Sequence, residues 1–159
     1  MRLGFKVFGK RKVNPLEELN KVWEKLDMAY AELLAARRFM RDRRVRRRML
    51  VTAAATRNIF LTPDILGWMY VKSCISELRA ASRKLRKLAE CEELGEDVRL
   101  QLKYLAHMLA NPGGGFPQLV SIVVRARREL DLITKALEGS QHALSPNSIG
   151  ESSRNRTRT

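Results

Sequence analysis

Between residues 37 and 48 the chain sets eight arginines, Arg37, Arg38, Arg41, Arg43, Arg44, Arg46, Arg47 and Arg48, against one acid, Asp42. Arginine to the exclusion of lysine is a chemical choice. The guanidinium fork donates paired hydrogen bonds to phosphate oxygens, a geometry that an ammonium group does not offer. At about 100° per residue these arginines point to nearly every side of a helix, so no face is apolar enough to pack. Such a segment is either a solvated extension of a longer helix or a surface that lies against a polyanion. The arginine bias favours the second. Lipid head groups and nucleic acid both remain open as that polyanion.

A second basic segment opens the chain. Phe5, Lys6, Val7, Phe8, Lys10, Arg11 and Lys12 alternate apolar and cationic groups in a stretch with two glycines. It reads either as a frayed basic tail or as a membrane anchor in which the phenylalanines enter the bilayer interface. Each base near an anionic leaflet contributes about 1 kcal/mol to such binding.

Catalytic chemistry finds no footing. There is no GxSxG, HExxH, CxxC or phosphate-binding glycine loop. Gly113-Gly114-Gly115 runs into Phe116-Pro117 and lacks the lysine of a P-loop, so it reads as a flexible joint. His107 and His142 have no partner at metal-ligand spacing. The acids Glu90, Glu92, Glu93, Glu96 and Asp97 lack the spacing of a calcium loop and read as an exposed patch. No enzyme, metal or cofactor is expected. Trp23, Trp68, Tyr30, Tyr70 and Tyr104 are candidate platforms for stacking bases, but Trp23 and Tyr30 fall on a packing seam. The arginine block itself holds only Phe39, which weakens base-specific binding and leaves phosphate-backbone binding open.

The 159 residues suffice for one domain with a core, and 45% hydrophobic content favours folding over disorder. The net charge of +14 is unevenly spread, with the bases of residues 72–87 followed directly by the five acids of residues 90–97. That asymmetry can orient the molecule on a charged surface or pair copies head-to-tail. Cys74 and Cys91, if they share one helix, are about 25 Å apart and are expected to be buried thiols in a reducing compartment. No apolar run approaches the roughly eighteen residues of a membrane span. Neither a signal peptide nor a myristoylation site is expected, and the Asn155-Arg156-Thr157 sequon is read as chance.

These groups must be positioned by helices. Asn14-Pro15 is a helix start, with Asn as cap and Glu17 and Glu18 in the first turn. Leu16, Leu19, Trp23, Leu26, Tyr30 and Leu33 then recur as a heptad seam that stops at Arg37. The first helix is expected over residues 15–61, its continuity through the arginine block left open. Thr62-Pro63-Asp64 starts a second helix to about residue 94, with its seam at Val71, Cys74, Leu78, Ala81, Leu85 and Leu88. A third spans residues 96–110 with Val98, Leu102, Leu105 and Leu109. A fourth spans residues 117–138 with Leu119, Val123, Ala126, Leu130, Ile133 and Leu137. Residues 140–159, poor in apolar groups, read as a disordered tail. The expected fold is all-α: an antiparallel helical hairpin in a four-helix bundle, with a basic N-terminal tail. The triple glycine can act as a hinge that lets the last helix pack on a neighbouring copy.

Tyr70, the run Ile75-Ser76-Glu77-Leu78-Arg79 and the later Val98-Arg99-Leu100-Gln101-Leu102 are similar to the second long helix of ESCRT-III-type membrane-remodelling proteins. Phe8-Gly9-Lys10-Arg11-Lys12 followed by Pro15-Leu16-Glu17 resembles the basic start of that family. The resemblance implies a basic hairpin that polymerises on acidic membranes. Gly95 interrupts the matching blocks, and an Arg-rich tail stands where the family has an acidic helix. A basic helical viral matrix or accessory protein would show the same composition. The leading expectation is a non-enzymatic, self-assembling protein, cytoplasmic and peripheral at an anionic membrane. The alternatives are an RNA- or DNA-binding protein that uses the arginine block as phosphate clamp or nuclear-import signal, and an adaptor for an acidic protein.

Overall fold

A computed structural model describes residues 14–143, with side chains through residue 140. The proposed anchor residues Phe5, Lys6, Val7, Phe8, Lys10, Arg11 and Lys12 lie outside the described residues, as does the segment from 144 onward. Every regular element among the described residues is helical. α1 spans Pro15–Arg41, α2 Arg43–Thr56, α3 Pro63–Ala89, α4 Glu96–Ala110 and α5 Phe116–Ala143, with a 3₁₀ turn at Ile59–Leu61. The protein is an all-α helical bundle.

The helix expected over residues 15–61 is therefore three elements, and Asp42 is the reason for the first break. Its backbone is extended (φ −75°, ψ 109°), its N–H still closes α1 on the Arg38 carbonyl, and its carboxylate accepts from the N–H groups of Arg44 and Val45. The one acid in the arginine block thus caps α2. Arg57, at φ 51°, ends α2 in the left-handed conformation, and Asn58 caps the following 3₁₀ turn. The second helix also stops short of residue 94, at Ala89. Cys91 and Leu94 then sit in successive turns closed on the Leu88 and Cys91 carbonyls, so the two cysteines do not share a helix.

α1 and α3 form the central pair. Lys25 meets Glu77 at 2.9 Å, Ser73 donates to Glu32 at 3.0 Å, and Phe39 stacks on Tyr70 with ring centroids 5.4 Å apart. Residue numbers rise in α1 as they fall in α3, so the two helices run in opposite directions. The buried residues of α1 are Leu19, Val22, Leu26, Ala29, Leu33 and Ala36. This corrects the expected seam: Leu16, Trp23 and Tyr30 lie on its flank, only partly buried. Alanines at the contact let two helix backbones approach closely, while the bulkier aromatics fit better at the edge. There Arg127 lies over both rings, 6.0 Å from the Trp23 centroid and 5.1 Å from that of Tyr30. In α3 every expected seam residue is buried.

α4 packs on α3, and α5 on α1 and α4. Leu102, Leu105 and Leu109 from α4 join Leu119, Val123, Ala126, Leu130 and Ile133 from α5 in the common core. Each fully buried leucine contributes about 1.5–3 kcal/mol relative to an exposed one. Ser82, buried in α3, donates to the Ala106 carbonyl at 2.6 Å, a small-residue contact that draws α3 against α4. Between α4 and α5, Gly114 takes φ 106°, and the Gln118 side chain accepts from the Gly115 N–H at 2.7 Å. The triple glycine is thus a turn that leads into a capped helix start.

Candidate polyanion-binding surface

α2 is the element least explained by folding. Of its fourteen residues Ala53 alone is buried. Its first six residues include Arg43, Arg44, Arg46, Arg47 and Arg48, with no acid in the first turn. Positive charge at a helix N-terminus opposes the helix dipole. The like-charged i,i+4 pairs Arg43/Arg47 and Arg44/Arg48 each cost a further ~0.2–0.5 kcal/mol.

The eight arginines do not stand alike. Arg37, Arg38 and Arg41 are exposed on the last turns of α1, and Arg43, Arg44, Arg47 and Arg48 are exposed on α2. Arg46 turns inward. Its Nη1 donates to Asp64 Oδ1 at 2.8 Å and to the Met40 carbonyl at 3.1 Å, and its Nη2 donates to Asp64 Oδ2 at 3.3 Å. The bond to Arg46 holds the Asp64 carboxyl below the usual carboxylate range and raises Arg46 in turn. Arg46 is accordingly a structural clasp, and seven arginines remain directed at solvent.

Two shallow concavities carry basic residues in their lining. One, about 480 Å³, lies between Leu34, Ala35, Arg38, Phe39, Val45 and Tyr70, at the elbow where α1 gives way to α2. The other, also about 480 Å³, runs along α3 past Lys72, Ile75, Ser76, Arg79 and Arg83. This basic stripe was not among the expected site residues. Its signal was present as cations and a serine at i, i+4, i+7 and i+11, the spacing of one helix face.

The other candidates are spoken for or open to solvent. Phe39, the only aromatic in the block, is occupied by its stack on Tyr70. Tyr104 accepts from Arg125 at 2.8 Å. Trp68, by contrast, is 59% exposed. His107 and the acids Glu90, Glu92, Glu93, Glu96 and Asp97 are all exposed. Among the described residues no cluster of three His, Cys, Asp or Glu could hold a metal ion. Cys74 is buried and its thiol is pushed up to about 12 by burial, whereas Cys91 is only partly buried. No described helix is long and apolar enough to cross a membrane. The chain matches no family model, no characterised protein and no solved structure.

Proposed function

We propose that the protein is a non-enzymatic helical bundle that binds anionic membrane surfaces peripherally and self-assembles there. The observation that carries this reading is α2, a helix with one buried residue whose charge works against its own stability. Arg37, Arg38, Arg41, Arg43, Arg44, Arg47 and Arg48 grip lipid phosphates, and the basic segment with Lys6, Lys10, Arg11 and Lys12 adds to them. At about 1 kcal/mol per base, a few simultaneous contacts are enough for reversible binding.

Lipid is favoured over nucleic acid by what lies beside the arginines. Leu50 and Val51, 48% and 64% exposed, share α2 with them, the mixture of an interfacial helix. Phe39 is unavailable for base stacking. Self-assembly draws on the resemblance to ESCRT-III-type proteins and on the uneven spread of charge along the chain. In this reading α1 and α3 are the hairpin of a four-helix bundle.

Flotation with anionic liposomes and filter binding of RNA and DNA, run at the same salt, test the proposal. Flotation with weak nucleic-acid retention is expected, and deletion of residues 1–12 should weaken flotation selectively. Retention of RNA or DNA without flotation would assign the arginines to nucleic-acid phosphates instead.

A further inference from the structure

The corner where α2 hands over to α3 exposes six large apolar side chains. Leu50, Val51, Ile59, Phe60, Trp68 and Met69 are between 48% and 66% exposed. Among the described residues the other large exposed apolar side chains, Met28, Leu34, Leu100, Tyr104, Val124 and Leu132, are scattered over α1, α4 and α5. At 1.5 Å per residue, Leu50 lies only about 9 Å before the end of α2 and Trp68 about 8 Å into α3. An exposed cluster of this kind marks a contact surface.

Charge identifies the contact. Across residues 50–69 the only charged side chains are Arg57 and Asp64, and Asp64 is paired with Arg46. Cations bound this apolar stretch on both sides, Arg43, Arg44, Arg47 and Arg48 before it and Lys72, Arg79 and Arg83 after it. An apolar centre flanked by cations, with a tryptophan among the exposed groups, complements the interface of an anionic bilayer. The acids Glu90, Glu92, Glu93, Glu96 and Asp97 lie beyond the other end of α3, about 40 Å away along its axis. End-on docking by the corner keeps them clear of the lipid charge.

We infer that this corner is an insertion wedge: Ile59, Phe60, Trp68 and Met69 enter the bilayer interface while the flanking arginines and lysines hold phosphates. The inference rests on the anionic-membrane reading and adds the site and orientation of contact.

Tryptophan fluorescence tests it in the full chain, with vesicles of phosphatidylcholine and phosphatidylserine whose acyl chains are brominated. Trp23 and Trp68 are the only tryptophans. In Trp23→Phe, the remaining emission of Trp68 should shift to the blue on vesicle addition and be quenched by the bromine. In Trp68→Phe, which alters only an exposed side chain, the Trp23 emission should do neither. Comparison with the unsubstituted protein decides the matter if Trp23→Phe fails to fold. Joint substitution of Phe60, Trp68 and Met69 by serine should weaken vesicle partitioning by about tenfold or more. If the protein binds vesicles while Trp68 emission stays unshifted and unquenched, the wedge is wrong and the electrostatic reading stands. If the unsubstituted protein ignores anionic vesicles, both fall. A blue shift that grows with protein concentration in the absence of vesicles would make the corner a contact between copies and overturn the wedge.

Discussion

Arg46 and Asp64 join α2 to the bundle through two parallel contacts, at 2.8 and 3.3 Å, while the same guanidinium reaches the Met40 carbonyl at the end of α1. One side chain thereby ties together three helices that meet around the break at Asp42. The described helix with the highest net positive charge is held in place by one of its own arginines.

Asp64 has its folded pKa depressed by the bond from Arg46. Its contribution is therefore present above the ordinary carboxylate range and is lost as pH falls through the depressed value. Titration of the Asp64 carboxyl carbon by NMR should give a midpoint below the usual range, returning to it in Arg46→Gln. Because the pair is exposed, global stability should change little, and the loss should appear as faster amide exchange confined to residues 43–56. Protection in α2 that is unchanged in Arg46→Gln would show that the clasp does not hold the helix.

Gly67 provides a second check on this corner. A Cβ there would lie 2.7 Å from Met40 Cγ, so α1 and α3 approach too closely for a side chain without movement of Met40. Gly67→Ala alone gains helix propensity and loses packing. With Met40→Ala beneath it the crowding is gone, and the same change should stabilise by about 0.8–1 kcal/mol. A double-mutant cycle in urea reads the coupling, and strict additivity would refute the close approach.

The α1 seam shows where reading the sequence stopped short. Leu19, Leu26 and Leu33 were legible as its large members. Their partners Val22, Ala29 and Ala36 were not, because the two alanines give little hydropathy signal and the larger Trp23 and Tyr30, next to Val22 and Ala29, draw the heptad one position off. In α3 every seam position is legible, because leucines and a valine dominate it. Ala29→Leu should therefore overpack the core and cost about 1–3 kcal/mol, whereas Tyr30→Leu, at the flank, should cost less. The reverse order in chemical denaturation would restore the aromatic seam.

The polar features were legible in part. The arginine block announced itself by composition, but Arg46 cannot be told from its seven neighbours until Asp64 is placed beside it. Asp42 as a helix cap was readable in principle: a lone acid ahead of a fresh helical run is an N-terminal signal. The exposed corner was hidden because hydropathy alone does not tell whether Ile59, Phe60 and Met69 are buried, and Trp68 stood out only as a candidate platform for stacking bases.

The two thiols should differ. Burial drives the Cys74 thiol up to about 12, so it stays protonated and unreactive near neutral pH. Cys91 is more accessible. A disulfide-exchange reagent at pH 8 should label one thiol per folded chain, assigned by peptide mapping to Cys91, and both after unfolding. Rapid modification of Cys74 in the native protein would contradict the packing of α3.

The most direct measurement replaces Arg43, Arg44, Arg47 and Arg48 with glutamine and compares vesicle binding with thermal stability in the same variant. The account expects flotation with phosphatidylserine vesicles to fall by more than an order of magnitude. Stability should hold or rise slightly, because like charges at the start of α2 are removed. Undiminished flotation would show that lipid phosphate is not their partner, and a variant that no longer folds would show that these arginines serve the fold.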